Sequence, residues 1–230
     1  MATARIERAP SLADQVYDAL CENIISGKLA PAERLIFEQL AQQFGVSLTP
    51  VRDASIRLAR DGLATLTTSG RLQVASLTTE YVRHVYDVRI ALEGVAASLA
   101  ATQLTDDDLA EMTALFDRAQ SSPASEARQQ LRDATKALHR RIHDVLTNPI
   151  LTRELQALKI HADYILGYAF REFGASYLVS LDEHLALLDA LASRDPDVAR
   201  TTMEVHMRLV RDRIIALIEE QGSQSEEGAA

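Results

Sequence analysis

Three histidines fall on apolar stripes of three separate helical stretches. His139 stands beside Leu138, Ile142 and Leu146; His184 lies on Leu181, Leu187, Leu188 and Leu191; His206 lies on Met203, Leu209 and Val210. At 3.6 residues per turn each is on the core-facing side of its helix. Bundles bring such faces together, and their cores are where metal sites are assembled. Three neutral imidazoles suit zinc, nickel, copper or iron, with positions left for water or a carboxylate. One buried histidine is usually a hydrogen-bonded core residue; for three convergent ones, metal and packed core stand at even weight. His143 follows His139 by one turn and is a reserve ligand. His84 and His161 converge less and take no role.

Arg89 and Glu93 are four apart within the run Val85, Val88, Ile90, Leu92, Val95. Spacing alone reads them as a surface i,i+4 ion pair. The functional alternative is an arginine fork gripping an anion bidentately.

A second kind of chemistry is written in Leu40-Ala41-Gln42-Gln43-Phe44-Gly45-Val46-Ser47-Leu48-Thr49-Pro50-Val51-Arg52-Asp53-Ala54-Ser55. Ala41 lets two helices pass closely. Gly45 stands where the chain must leave a helix with positive φ. Ser47, or else Thr49, can cap the next helix, and Pro50 is tolerated in a first turn. Arg52 then projects from the N-terminal half of that helix, the part that reaches base edges in a major groove. Alone this is equally an ordinary helical hairpin; the flanking segments favour a helix-turn-helix.

Those flanks are regular. Leu12, Val16, Leu20, Ile24 and Ile25 recur at helical spacing up to Gly27. Leu35 to Phe44 and Ser47 to Asp61 read as two further helices. Residues 63–67 and 71–75 alternate around Ser69-Gly70, a β-hairpin signal. Three helices and a hairpin make a winged helix-turn-helix, with Arg71 on the wing. Beyond residue 76 everything reads as helix: 79–101, 106–121, 125–147, 150–172, 177–193 and 196–219, with Thr105 and Asp108 as a capping pair. The expected organisation is mainly α: a DNA-binding domain over 1–76, an all-helical bundle of six or seven helices over 77–220, and a disordered polar tail over 221–230.

Charge follows the same division. The chain of 230 residues carries a net −9, opposite in sign to what binding a polyanion favours. Residues 1–76 hold 8 Lys+Arg against 8 Asp+Glu, and residues 77–230 hold 16 against 25, so all the acidity is in the second part. Arg34, Arg52, Arg57, Arg60 and Arg71 cluster around the helix-turn-helix, as local phosphate contact requires. The single Cys21 excludes a disulfide framework or a CxxC site and reads as a packing residue. No apolar run approaches the roughly 18 residues of a membrane span, and Met1-Ala2-Thr3-Ala4-Arg5 has no apolar signal core. A cytoplasmic location is expected.

The chain resembles GntR-family transcription regulators of the FadR subgroup, with an all-helical FCD ligand-binding domain. The resemblance runs over residues 12–215. It is carried by Ile25-Ser26-Gly27-Lys28-Leu29-Ala30-Pro31, Glu33-Arg34-Leu35, Gly45-Val46-Ser47, Thr49-Pro50-Val51-Arg52, Arg57-Leu58 and Asp61-Gly62-Leu63. Val88-Arg89, Leu92-Glu93, Leu138-His139, Asn148-Pro149, Glu183-His184 and Met203 before His206 continue it. It implies a homodimer on a short palindromic operator of double-stranded DNA, contacted by Arg34, Ser47, Leu48, Thr49, Arg52 and Arg71. It further implies a small organic or sugar acid in the helical domain. A divalent metal on His139, His184 and His206 is implied as well, with Arg89, Thr135 and His143 as effector contacts.

Four departures from the family pattern fall at five positions. Leu48 replaces an Arg at the start of the recognition helix and cannot donate to guanine or phosphate, though it can touch a thymine methyl. Ser55 and Ile56 replace a core Leu and a polar residue, and Arg71 takes the place of a Gly in the wing. Thr135, four before His139, replaces an acidic or amide ligand. A hydroxyl is a poor donor for a hard cation, which points away from manganese and toward zinc or nickel, or no metal. Asp133 is on a different helical face and is no substitute. The expected function is a ligand-controlled regulator, with repression as the expected sign. The alternatives are a regulator whose signal is the metal ion itself and a His-metal hydrolase, for which no general base is evident.

Overall fold

The computed structural model describes residues 9–66, 71–173 and 180–227. The chain forms two compact units, one from Met1–Leu77 with Asp163–Tyr168, the other from Thr78–Ala162 with Ala169–Ala230.

In the first unit α1 (Leu12–Ser26) starts at a capping box, where the Ser11 hydroxyl accepts from the Asp14 N–H and the Asp14 carboxylate accepts from Ser11. It stops at Gly27 in the left-handed region. Next come β1 (Arg34–Leu35), α2 (Phe37–Phe44) and α3 (Leu48–Arg60). Gly45 joins the two helices at φ 66°. No atom lies within 4 Å of a Cβ built there, so the positive φ, not crowding, selects glycine. β2 (Ala64–Leu66) and β3 (Leu72–Val74) follow, and the sheet order is β1-β3-β2, all antiparallel. Leu20, Ile24, Val51, Leu58, Leu63 and Leu72 fill the core beneath them. Cys21 is buried among them, and that burial pushes its thiol up to about 11.

Leu35 is therefore in a strand, not in the second helix, because its amide and carbonyl belong to a ladder opposite Leu72. The Ser69-Gly70 turn lies outside the described residues. Ser47 takes the N-cap position of α3, but its side chain makes no capping hydrogen bond, and Thr49 is already inside the helix.

The second unit contains α4 (Thr79–Gln103), α5 (Asp106–Ser121), α6 (Ala124–Asp144), α8 (Leu181–Ala192) and α9 (Pro196–Glu227), with α7 (Pro149–Phe173) apart from its segment Asp163–Tyr168, which belongs to the first. Thr105 and Asp108 form the expected capping box. α4 lies along α9, and Ala96, Ala97, Ala100 and Ala101 of α4 are buried. At Gly94 a Cβ would come within 2.9 Å of Glu204 Cγ, so glycine sets how closely these helices approach. α9 continues to Glu227, through the stretch expected to be a disordered tail: Glu and Gln propagate a helix readily, and one Gly222 costs only about 1 kcal/mol. Among the described residues no helix is long and apolar enough to cross a membrane.

Candidate functional site

α6, α8 and α9 each bring one histidine to a common point. One ligand atom each from His139, His184 and His206 lies within 4.8 Å of the others. The His184 and His206 ring centroids are 4.6 Å apart, and His139 lies 5.6 Å from His206. His184 and His206 are buried, and Phe116 stacks on His184.

Their hydrogen bonds fix which nitrogen faces inward. His184 Nδ1–H donates to the Ser180 carbonyl at 2.6 Å, leaving a lone pair on Nε2, which is buried and has no partner. His206 Nδ1–H donates to Glu183 Oε2 at 3.0 Å. Arg213 grips the same carboxylate with both terminal nitrogens, NH2 at 2.8 Å from Oε2. Burial raises Glu183, but the bonds from Arg213 and His206 outweigh it and hold it down at about 2. Carbonyl and carboxylate partners of this kind set the tautomer of metal-binding imidazoles. His139 Nδ1 is also buried without a partner, as is Thr135 Oγ1 one turn before it. Burial favours the neutral imidazole at two of the rings, against the pull of Glu93 on His139: His139 is pushed well below its usual range, and His184, with His206 beside it, down to about 4.

Close by is a second polar group. Arg89 NH2 lies 3.3 Å from Glu93 Oε1, and His143 Nε2–H donates to Glu93 Oε2 at 2.8 Å. The pair is not on the surface, as its spacing suggested: Glu93 is 3% exposed and the Arg89 side chain 12%. α4 is covered on more than one side, and i,i+4 spacing does not say which face that is. Burial raises Glu93, yet His143 and Arg89 bring it down to about 2. The Arg89 guanidinium lies over the Tyr86 ring at 5.1 Å, and Tyr86 is fully buried. His143 thus serves Glu93 and stands apart from the trio. Glu183, Arg213, Ser180 and Tyr86 were missed as site residues. A signal existed for one: Arg213 is seven residues after His206 and so shares its face of α9. Asp133 is exposed and bonds to Gln129.

In the first unit Arg34, Ser47, Leu48, Thr49, Arg52 and Arg71 are all exposed. Arg52 sits with its guanidinium 6.0 Å over the Phe37 ring. Two of the five clustered arginines are used internally instead. Arg57 is 3.1 Å from Asp14 and 3.7 Å over the Tyr17 ring, and Arg60 is 3.2 Å from Asp61.

Residues 12–74 match the model of the bacterial regulatory proteins, gntR family, and residues 84–209 match the FCD domain. The chain belongs to the GntR family. Its similarity to the HTH-type transcriptional regulator McbR of Escherichia coli K12 is 28% identity over 191 residues, 83% of this chain and 86% of that one. To the HTH-type transcriptional repressor RspR of the same organism it is 26% over 204 residues, 87% of each. The solved structure of E. coli McbR/YncC superposes with a TM-score of 0.68 at 27% identity, covering 92% of this chain and 98% of that one. The winged helix-turn-helix of this GntR-family chain is a DNA-binding domain, and the family comprises transcription regulators, not enzymes.

Proposed function

We propose that the chain is a homodimeric, cytoplasmic repressor, with residues 1–76 on DNA and residues 77–220 sensing the signal. Each copy engages one half of a palindromic operator through Arg52 and Thr49 from α3, Ser47 at its cap, Arg34 from β1 and Arg71 from the wing. The signal is a small organic or sugar acid bound in the helical unit. The observation that carries this is the set of inward-facing, unpartnered nitrogens on His139 and His184, beside His206 held by a carboxylate.

That donor set fits a divalent ion of borderline softness, zinc or nickel. Three imidazoles are supplied, two of them with one ring nitrogen already held by a hydrogen bond. The ion would give an effector carboxylate a Lewis-acidic anchor. Thr135 Oγ1 offers a hydrogen bond to the same ligand, and Arg89 with His143 flank it. The effector acts by preferring one of the conformations that bind operator differently.

Elemental mass spectrometry of the purified full-length chain, prepared without chelator, tests the centre. About one zinc or nickel per chain is expected, and loss of that metal in His184→Ala. A metal-free chain would make the trio a hydrogen-bonding core and move the effector search to Arg89. Metal-dependent operator affinity with no organic ligand would make the ion itself the signal.

A further inference from the structure

The exposed start of α3 carries a large apolar side chain among polar ones. Leu48 is the first residue of the helix and keeps 38% of its surface exposed. Ser47 precedes it, Thr49 follows it, and Arg52 stands one turn on, all exposed. The inward face of α3 is already filled by Val51, Ala54, Ser55 and Leu58. Leu48 thus sits at the rim between that core and the Arg52 face, with apolar surface still in contact with water.

A DNA major groove offers donors, acceptors and one apolar group at the base edges, the C5-methyl of thymine. The hydroxyls and the guanidinium around Leu48 can satisfy the acceptors of phosphates and guanine; Leu48 can satisfy none of them. Against guanine or cytosine its burial would leave polar base edges unpaired. Against thymine it would remove apolar surface from water on both sides.

We infer that Leu48 is a specificity-determining residue, selecting thymine in each half-site by contact with its C5-methyl group. This rests on the reading of α3 as the recognition helix. Ile56 is more exposed, at 59%, but lies two turns further along, beyond the N-terminal half that reaches base edges.

The test begins with the full-length chain selecting duplexes from a random double-stranded library. Each thymine of the enriched duplex is then replaced in turn by deoxyuridine, which removes only the methyl group. Losing one buried methyl weakens binding roughly fourfold, and roughly 15-fold when both half-sites are changed. Wild type shows that loss at one thymine per half-site. Leu48→Ala binds the thymine and uracil duplexes equally, and Ile56→Ala keeps the wild-type ratio. Leu48→Arg shifts the preferred base at that position to guanine. The inference is overturned if no uracil substitution weakens the wild type, or if Leu48→Ala keeps the same thymine-to-uracil ratio. An absence of any enriched duplex would instead overturn the operator reading, and this inference with it.

Discussion

The two units solve opposite electrostatic problems. In the first, the residues proposed to meet DNA keep exposed surface, Arg34, Arg52 and Arg71 among them, and the ring under Arg52 restrains it without cancelling its charge. In the second, each carboxylate near the histidines is held by its opposite charge, Glu93 buried and Glu183 half-buried. Glu93 lies between Arg89 and His143, and Glu183 between Arg213 and His206. A reader of a polyanion must keep its cations hydrated until the partner arrives. A pocket must hold its charges already compensated, because an isolated ion in its interior would lose its charge or unfold the site. Substitutions should therefore separate: surface changes alter DNA affinity alone, and buried ones alter folding as well.

The largest effect is expected from Arg89→Ala. It leaves the Glu93 carboxylate buried with only His143 against it. Breaking a buried pair from one side costs about 3–5 kcal/mol. Urea unfolding followed by circular dichroism should show that loss. An unchanged midpoint would mean that His143 alone compensates Glu93, and the contrast between the units would weaken.

Arg52→Ala is next, and its effect is of the other kind. A bidentate base contact contributes about 1–3 kcal/mol of discrimination, so affinity should drop tenfold or more per half-site. The urea midpoint should stay within about 0.5 kcal/mol of wild type, as for other surface changes. If affinity is unchanged, α3 is not the recognition helix; if stability falls too, the first unit is not built as described.

A pH titration sharpens the buried half. Glu93 is held at about 2, below its ordinary 4.5. A carboxylate depressed on folding contributes stability that is present above pH 4.5 and is lost as pH falls toward 2, because the unfolded chain binds that proton first. Glu93→Gln should therefore give a shallower dependence of stability on pH between about 4.5 and 2. An identical slope would assign acid sensitivity to other groups.

Local periodicity carried most of the fold into view. Gly27, Gly45 and Gly62 all take positive φ at the ends that were expected. The three histidines were legible because a stripe at helical spacing says which side of a helix faces inward. What escaped depends on partners distant in sequence. β1 is two residues long, and its partner, Gln73 with Leu72, is nearly forty positions away. The burial of Glu93 is decided by helices packing around α4. The link from Glu183 to Arg213 joins residues thirty positions apart on two helices. The capping role of Ser47 failed for the opposite reason: the position was right, but type and position do not fix a rotamer.

That rotamer yields the smallest and most discriminating comparison. Ser47 and Thr105 both stand at helix N-caps, but only Thr105 bonds to its helix, accepting from the Asp108 N–H at 3.2 Å. Removing a working cap costs about 1 kcal/mol, so Thr105→Ala should lower the urea midpoint by that amount. Ser47→Ala removes no such bond and should leave the midpoint unchanged within a few tenths of a kcal/mol. Its hydroxyl remains for a phosphate at the N-terminus of α3, where the helix dipole also favours an anion. Operator affinity should therefore fall a few-fold, equally for all sequences, in a variant whose stability does not move. A stability loss matching that of Thr105→Ala would show that Ser47 caps α3 in solution and is spent there, leaving backbone N–H groups and Thr49 to hold the phosphate.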